Sequence, residues 1–263
     1  MFVRAKQLSK SFWTLKYYIR TSTNIGSQQR MAGTLSENEA IQKMRTLISE
    51  HGDKGWDQAW KQNVTPWDRG DAQPSLKEAL GLPSLVIPER ATALVPGCGR
   101  GYDALSIASE LKCKVIGMDL APAAIAAANE YLTNSVSRNL GLDVTFIDGD
   151  FFAEDASWNV QGFDLVFDHT FFCAIPLSLR GKWGVQMSKI IKPGGYLIAL
   201  AFPLDGPRQG GPPYSVSLEA YQDVLGLNWE LVEEKIPKES IKEREGREKI
   251  LVWRKTNEAR AAL

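Results

Sequence analysis

Cysteine and histidine are scarce in this chain. Three cysteines, Cys98, Cys113 and Cys173, lie far apart and are odd in number. That argues against a disulfide framework and for a reducing compartment. The two histidines, His51 and His169, and the lack of any cysteine pair at ligand spacing leave no donor set for a metal. Charge of one sign is also missing: 31 basic and 31 acidic residues cancel. A duplex-binding protein needs a basic excess, so no nucleic-acid partner is expected. No apolar run reaches the ~20 residues of a membrane span, so no membrane partner is expected either. Acids are absent ahead of Glu37, where Arg4, Lys6, Lys10, Lys16, Arg20 and Arg30 stand among many Ser and Thr. Residues 1–34 therefore read as a basic arm. It is a disordered arm, extra sequence ahead of a true start at Met31, or a transit peptide that would add mitochondrial import to an otherwise cytoplasmic protein.

What is present is an alternation. Strands are expected at Ala91–Val95, Lys114–Asp119, Val144–Ile147, Phe163–Asp168 and Tyr196–Phe202. Helices fit between them at Tyr102–Leu111, Pro122–Asn134 and Leu177–Ile191. That order makes a parallel sheet with right-handed crossovers, an α/β fold. A helix near Leu218–Leu225 and two strands, Trp229–Lys235 and Lys249–Lys255, close the chain as a hairpin. The sheet starts late. Residues 35–85 read as a helical cap, opened by a capping box at Ser36–Glu39, with a second helix capped by Asp53. Residues 90–263 form the sheet core, and 35–263 one domain.

The chemistry concentrates at Val95-Pro96-Gly97-Cys98-Gly99-Arg100-Gly101, between the first strand and the first crossover helix. Glycines let backbone approach a ligand closely, and Asp119 at the end of the second strand can accept bonds from both hydroxyls of a ribose. A nucleoside-type cofactor follows. The dinucleotide spacing G-x-G-x-x-G is not met, because residue 102 is Tyr, and no P-loop lysine is present. Asp150 and Phe151 after the third strand suit an adenine, one by hydrogen bond and one by stacking. Lys192-Pro193-Gly194-Gly195 reads as a loop that stops a helix ahead of the fifth strand.

These segments, with Trp56-Asp57-Gln58-Ala59-Trp60, Thr65-Pro66-Trp67-Asp68, Phe171-Phe172-Cys173-Ala174-Ile175 and Gly210-Gly211-Pro212-Pro213-Tyr214, resemble the thiopurine S-methyltransferase family, nearest its halide/thiol (thiocyanate) methyltransferase branch. The resemblance covers roughly residues 40–255. It implies a class I methyltransferase (Rossmann-like) fold: a mostly parallel seven-stranded sheet with helices on both faces and an N-terminal helical cap. It implies S-adenosyl-L-methionine as cofactor, held by Trp56, Trp60, Trp67, Gly97, Gly99, Asp119, Asp150, Phe151 and His169. Plant members usually carry Tyr where this chain has His169, which could instead serve as a proton acceptor. Trp67, Phe172 and Tyr214 would face the acceptor. The implied reaction is methyl transfer to a small thiol or soft anion; a larger organic thiol is the alternative acceptor, and an NAD(P)-binding oxidoreductase or a non-catalytic binder of the donor are alternatives of other classes. No catalytic acid or base can be named, and the oligomeric state is not legible.

Overall fold

From Thr92 onward, short apolar runs alternate with amphipathic helices, and the chain winds them into one sheet. The computed structural model describes residues 37–134, 141–153, 158 and 162–256. The basic arm, Ser36 of the expected capping box and the last residues of the chain lie outside these. Contacts divide the chain between Glu39 and Ala40. Of the first unit only residues 37–39 are described, and they open helix α1.

The helices are α1 (Glu37–His51), α2 (Lys54–Lys61), α3 (Pro74–Leu80), α4 (Tyr102–Leu111), α5 (Pro122–Asn134), α6 (Arg180–Ile190) and α7 (Leu218–Leu225). The strands are β1 (Thr92–Pro96), β2 (Lys114–Asp119), β3 (Val144–Asp148), β4 (Phe163–His169), β5 (Ile191–Ala201), β6 (Trp229–Lys235) and β7 (Lys249–Lys255). The seven strands lie in the order β3-β2-β1-β4-β5-β7-β6. The pairs among β1 to β5 are parallel, while β7 runs antiparallel between β5 and β6. The sequence order reverses between β1 and β4, so the C-terminal ends of β1, β2 and β4 open on one crevice. Open α/β sheets bind ligands there. Among the described residues, no helix is long and apolar enough to cross a membrane.

Two expectations are corrected. The Lys192–Gly195 segment is not a loop ahead of a strand. Ile191 already pairs with Phe163, and the next pair is Leu165 with Tyr196, so the segment is a bulge within β5. Gly194 takes a φ of 78° there, which is the backbone freedom a bulge needs. Asp53 is not a true cap: it is itself helical and its side chain makes no capping bond.

The two faces of the sheet bury separate cores. Leu76, Leu105, Ile107 and Phe167 belong to one, and Leu94, Phe172, Trp183 and Tyr221 to the other. A smaller cluster of Met44, Leu47, Ala59 and Val64 joins the cap helices to each other. Their crossing requires glycine at position 55, where a Cβ would lie 2.5 Å from the backbone of Ile48. Trp60 then packs on Ala121 and Ala124 at the start of α5. Asp57 of the same helix accepts a bond from the Ala123 amide at 3.0 Å, serving an N–H that the first turn of α5 leaves unpaired.

Candidate active site

The glycine turn after β1 folds back on the end of β2. Gly97, Gly99 and Gly101 have φ of 61°, 53° and 82°, a left-handed conformation that costs glycine little. The Cys98 amide donates to the Met118 carbonyl at 2.9 Å, and the Gly99 amide donates to Asp119 Oδ2 at 3.0 Å. Asp119 Oδ1 accepts from the Ala121 amide at 2.9 Å. Desolvation raises the Asp119 carboxyl, and these amide bonds oppose it. An ionised carboxylate can accept about four bonds, so the group keeps acceptor capacity for a ribose hydroxyl. This turn and acid fit the ribose end of a nucleoside cofactor.

The cap closes over the turn through aromatic rings and one arginine. Trp67 meets Trp56 and Trp60 edge-on, with centroids 5.5 and 6.1 Å apart. Arg100, inside the glycine turn, lies 5.3 Å from the Trp60 ring centroid and donates to Asp68 Oδ2 at 2.9 Å. The pair with Asp68 holds the guanidinium firmly protonated although burial opposes it. Asp68 in turn accepts from the Gly70 amide, which shapes the turn after Trp67.

Beneath these rings lies a cavity of about 50 Å³. It is lined by Trp60 and Trp67 on the cap side, Gly97 and Gly99 at the turn, Asp103 in the first turn of α4, and His169 and Thr170 at the end of β4. So Trp60, Trp67, Gly97, Gly99 and His169 are brought together. Trp56 joins the group through Trp67, and Asp119 through the Gly99 amide.

The other expected site residues are placed elsewhere. Phe172 is wholly buried, its ring 4.6 and 4.3 Å from those of Trp183 and Tyr221 and under the guanidinium of Arg180. It builds the core instead of facing a cavity. Phe151 is also buried, against Phe152, Trp158 and Phe171. Asp150 is exposed and its side chain accepts from the Phe152 amide at 2.8 Å, which holds the turn after β3. The Tyr214 amide donates to the Cys173 carbonyl at 2.7 Å, and Arg45 of α1 donates to the Pro212 carbonyl at 3.0 Å. The Gly-Gly-Pro-Pro-Tyr segment is thereby tied both to the stretch after β4 and to the cap.

Three residues at this place are not singled out by the sequence. Asp103 holds His169 Nδ1 at 2.8 Å, and Arg244 donates from Nη1 to His169 Nε2. Thr170 adopts φ of 59°, which is rare for a β-branched residue, with its hydroxyl donating to the His169 carbonyl. An acid in the first turn after a glycine loop was the one usable signal for Asp103. Arg244 sits in a run of alternating charges that looks like a solvated loop.

The thiols here are inert. Cys98 in the glycine turn is held well above its usual range by burial and by Asp119. Burial pushes Cys173 up to about 12. Neither supplies a thiolate near neutral pH. Among the described residues, no group of His, Cys, Asp and Glu is placed to hold a metal ion.

Comparison with known proteins adds to this geometry. The family model described as Thiopurine S-methyltransferase (TPMT) matches residues 51–261. The Arabidopsis thaliana protein named probable thiol methyltransferase 2 is 36% identical over 218 residues, 82% of this chain and 92% of that protein. Thiocyanate methyltransferase 1 of Brassica oleracea is 36% identical over 238 residues, 88% and 98% of the two chains. Among solved structures, a Burkholderia thailandensis 1,6-didemethyltoxoflavin N1-methyltransferase with S-adenosylhomocysteine bound superposes with a TM-score of 0.57 at 16% identity, over 86% of this chain and 93% of that one. At that identity the likeness speaks for the fold, the class I methyltransferase sheet.

Proposed function

The chain belongs to the thiopurine S-methyltransferase family, and from that premise we propose that it transfers the methyl group of S-adenosylmethionine to a small thiol or soft anion, namely hydrosulfide, thiocyanate or halide. When bound, the donor supplies an electrophilic methyl on a sulfonium cation. Residues 35–263 act as one methyltransferase domain, with 35–85 as its cap and 90–263 as its sheet core.

The chain's own residues divide the work. Asp119 and the Gly97–Gly101 turn would hold the nucleoside end. Trp56, Trp60 and Trp67 would cover the charged end; ring faces attract cations by about 0.5–2 kcal/mol and keep water out. Exclusion of water favours this reaction in particular. An anion and a cation lose charge as they combine, so solvent stabilises the reactants more than the transition state. A dry ring-lined chamber removes that handicap and aligns the partners. Cys98, kept as a neutral thiol beside the cavity, does not compete for the methyl group.

The observation that carries this reading is the crevice that Trp60, Trp67, the glycine turn and His169 line together. The names of the relatives, thiol and thiocyanate methyltransferase, support an acceptor of a few atoms. The test is an acceptor series graded by size, from hydrosulfide and thiocyanate to aryl thiols, each assayed at saturating donor. Highest kcat/KM for the smallest acceptors is expected. A clear preference for aryl thiols would move the assignment to larger organic substrates.

A further inference from the structure

The wall of the cavity away from the indoles carries a ladder of side chains from three distant parts of the sequence. Asp103, in the first turn of α4, places Oδ2 2.8 Å from His169 Nδ1 at the end of β4. Arg244, in a short helical turn between β6 and β7, donates from Nη1 to His169 Nε2. Behind it stands Glu248, 3.7 Å from the same Nη1, and Ser240 donates to the other Glu248 oxygen at 2.7 Å. The Arg244 and Glu248 side chains are only 4% and 2% exposed, so this is an interior arrangement.

The chemistry of the partners fixes the state of the ring. A guanidinium has donors only. His169 Nε2 must therefore accept, and the ring proton sits on Nδ1, pointing at the Asp103 carboxylate. A protonated imidazole would set an N–H against an N–H of Arg244. The remaining neighbours are Phe167, whose ring centroid is 6.0 Å from that of His169, and the charged groups Asp68, Arg69 and Asp71 across the cavity. The second Asp103 oxygen accepts from the Gln73 amide at 3.3 Å.

We propose that His169 is a positioning residue and not a base: a neutral splint that locks Arg244, and with it the segment between β6 and β7, onto the helix that opens at the glycine turn. Its lone pair is spent on Arg244 and its proton on Asp103, so it takes no proton from an acceptor. An acceptor thiol must then arrive ionised, and the pH dependence of methyl transfer belongs to the acceptor. This kinetic consequence rests on the methyl-transfer reading. The tautomer does not.

The test has two arms, both on the full chain. The first is long-range ¹H–¹⁵N correlation on protein labelled at histidine. The chain has two histidines, and His51→Asn assigns the spectrum. A neutral His169 with its proton on Nδ1 at neutral pH is the expected result. A proton on Nε2, or a protonated ring, overturns the proposal whatever the enzyme turns over. The second arm compares His169→Gln, which offers a donor and an acceptor but no base, with His169→Leu, which offers neither. With a thiol acceptor, both variants should lose kcat/KM, Leu about tenfold or more and Gln less than Leu, with thiocyanate falling in parallel in each. If Gln is as poor as Leu toward the thiol while thiocyanate turnover stands unchanged, His169 is a base and the proposal fails. If no acceptor is methylated by the parent enzyme, the functional reading fails, and the spectrum alone decides the state of His169.

Discussion

Trp60 lies directly over Gly99: a Cβ built at Gly99 would sit 3.3 Å from the indole. The cap and the cofactor turn are fitted to each other at this point, with no side chain between them. Gly99 also has φ of 53°, which a Cβ resists. Gly99→Ala should lower stability by about 1–2 kcal/mol through that backbone strain. It should also weaken binding of S-adenosylmethionine by displacing the indole. Urea denaturation and calorimetric titration read the two effects separately. An alanine variant with parent affinity would show that Trp60 does not help form the donor site.

Arg100 is the tether between turn and cap, through Asp68 and the Trp60 ring. The pair is partly exposed, so its net worth to global stability should be at most about 1 kcal/mol. Its effect on the cap should be larger. Arg100→Ala is expected to weaken donor binding about tenfold, since the ion pair and the cation–ring contact are lost together. Proteolysis within residues 62–72 should quicken in the variant. Equal proteolysis rates would mean that the aromatic contacts alone hold the cap closed.

Asp119 has two tasks, holding the amides of Gly99 and Ala121 and offering its remaining acceptor capacity to a ribose hydroxyl. Asp119→Ala should cost donor binding about 1–3 kcal/mol, the range for a charge-assisted hydrogen bond. A 2′-deoxy analogue of the donor should lose less affinity on the variant than on the parent enzyme, because the contact it lacks is already gone. Unchanged affinity in Asp119→Ala would remove this residue from the site.

Asp168 gives a pH signature of the fold. Burial pushes its carboxyl up to about 6, against hydrogen bonds from the Phe172 amide and Trp183 Nε1. The native state therefore binds this proton more tightly than the unfolded chain, whose carboxyl titrates near 4. Stability from Asp168 is complete below that value and is lost as pH rises through about 6. Asp168→Asn does not titrate. Between pH 4 and 7 the parent should lose about 2 kcal/mol relative to the variant. A stability difference that does not change with pH would contradict the raised carboxyl.

Much of the fold was legible because the periodic patterns were strong. The limits of Lys114–Asp119, Tyr102–Leu111, Pro122–Asn134 and Leu218–Leu225 are read from strongly periodic runs, and the structure has them at those residues. Where register decided the outcome, sequence did not suffice. Lys192-Pro193-Gly194-Gly195 has the composition of a loop, and only the pairing of Ile191 with Phe163 turns it into a bulge. The same holds at the site. The glycine turn, Asp119 and the tryptophans are local signals, and the fold gathers them. Burial of Phe172 and Phe151 depends on what packs over them from α6 and α7 or from the stretch after β4, which local pattern does not encode. The bonds of His169 to Asp103 and Arg244 span 66 and 75 residues. No local spacing announces such a contact.

The central claim is that this enzyme moves a methyl group from S-adenosylmethionine to a small sulfur or halide acceptor. Incubation of the purified chain with donor labelled in the methyl carbon, plus thiocyanate or hydrosulfide, tests it most directly. Labelled methyl thiocyanate or methanethiol, formed in proportion to enzyme and reduced in Asp119→Ala at limiting donor, is the result expected. Tight donor binding with no labelled volatile product from any thiol or halide would contradict the claim.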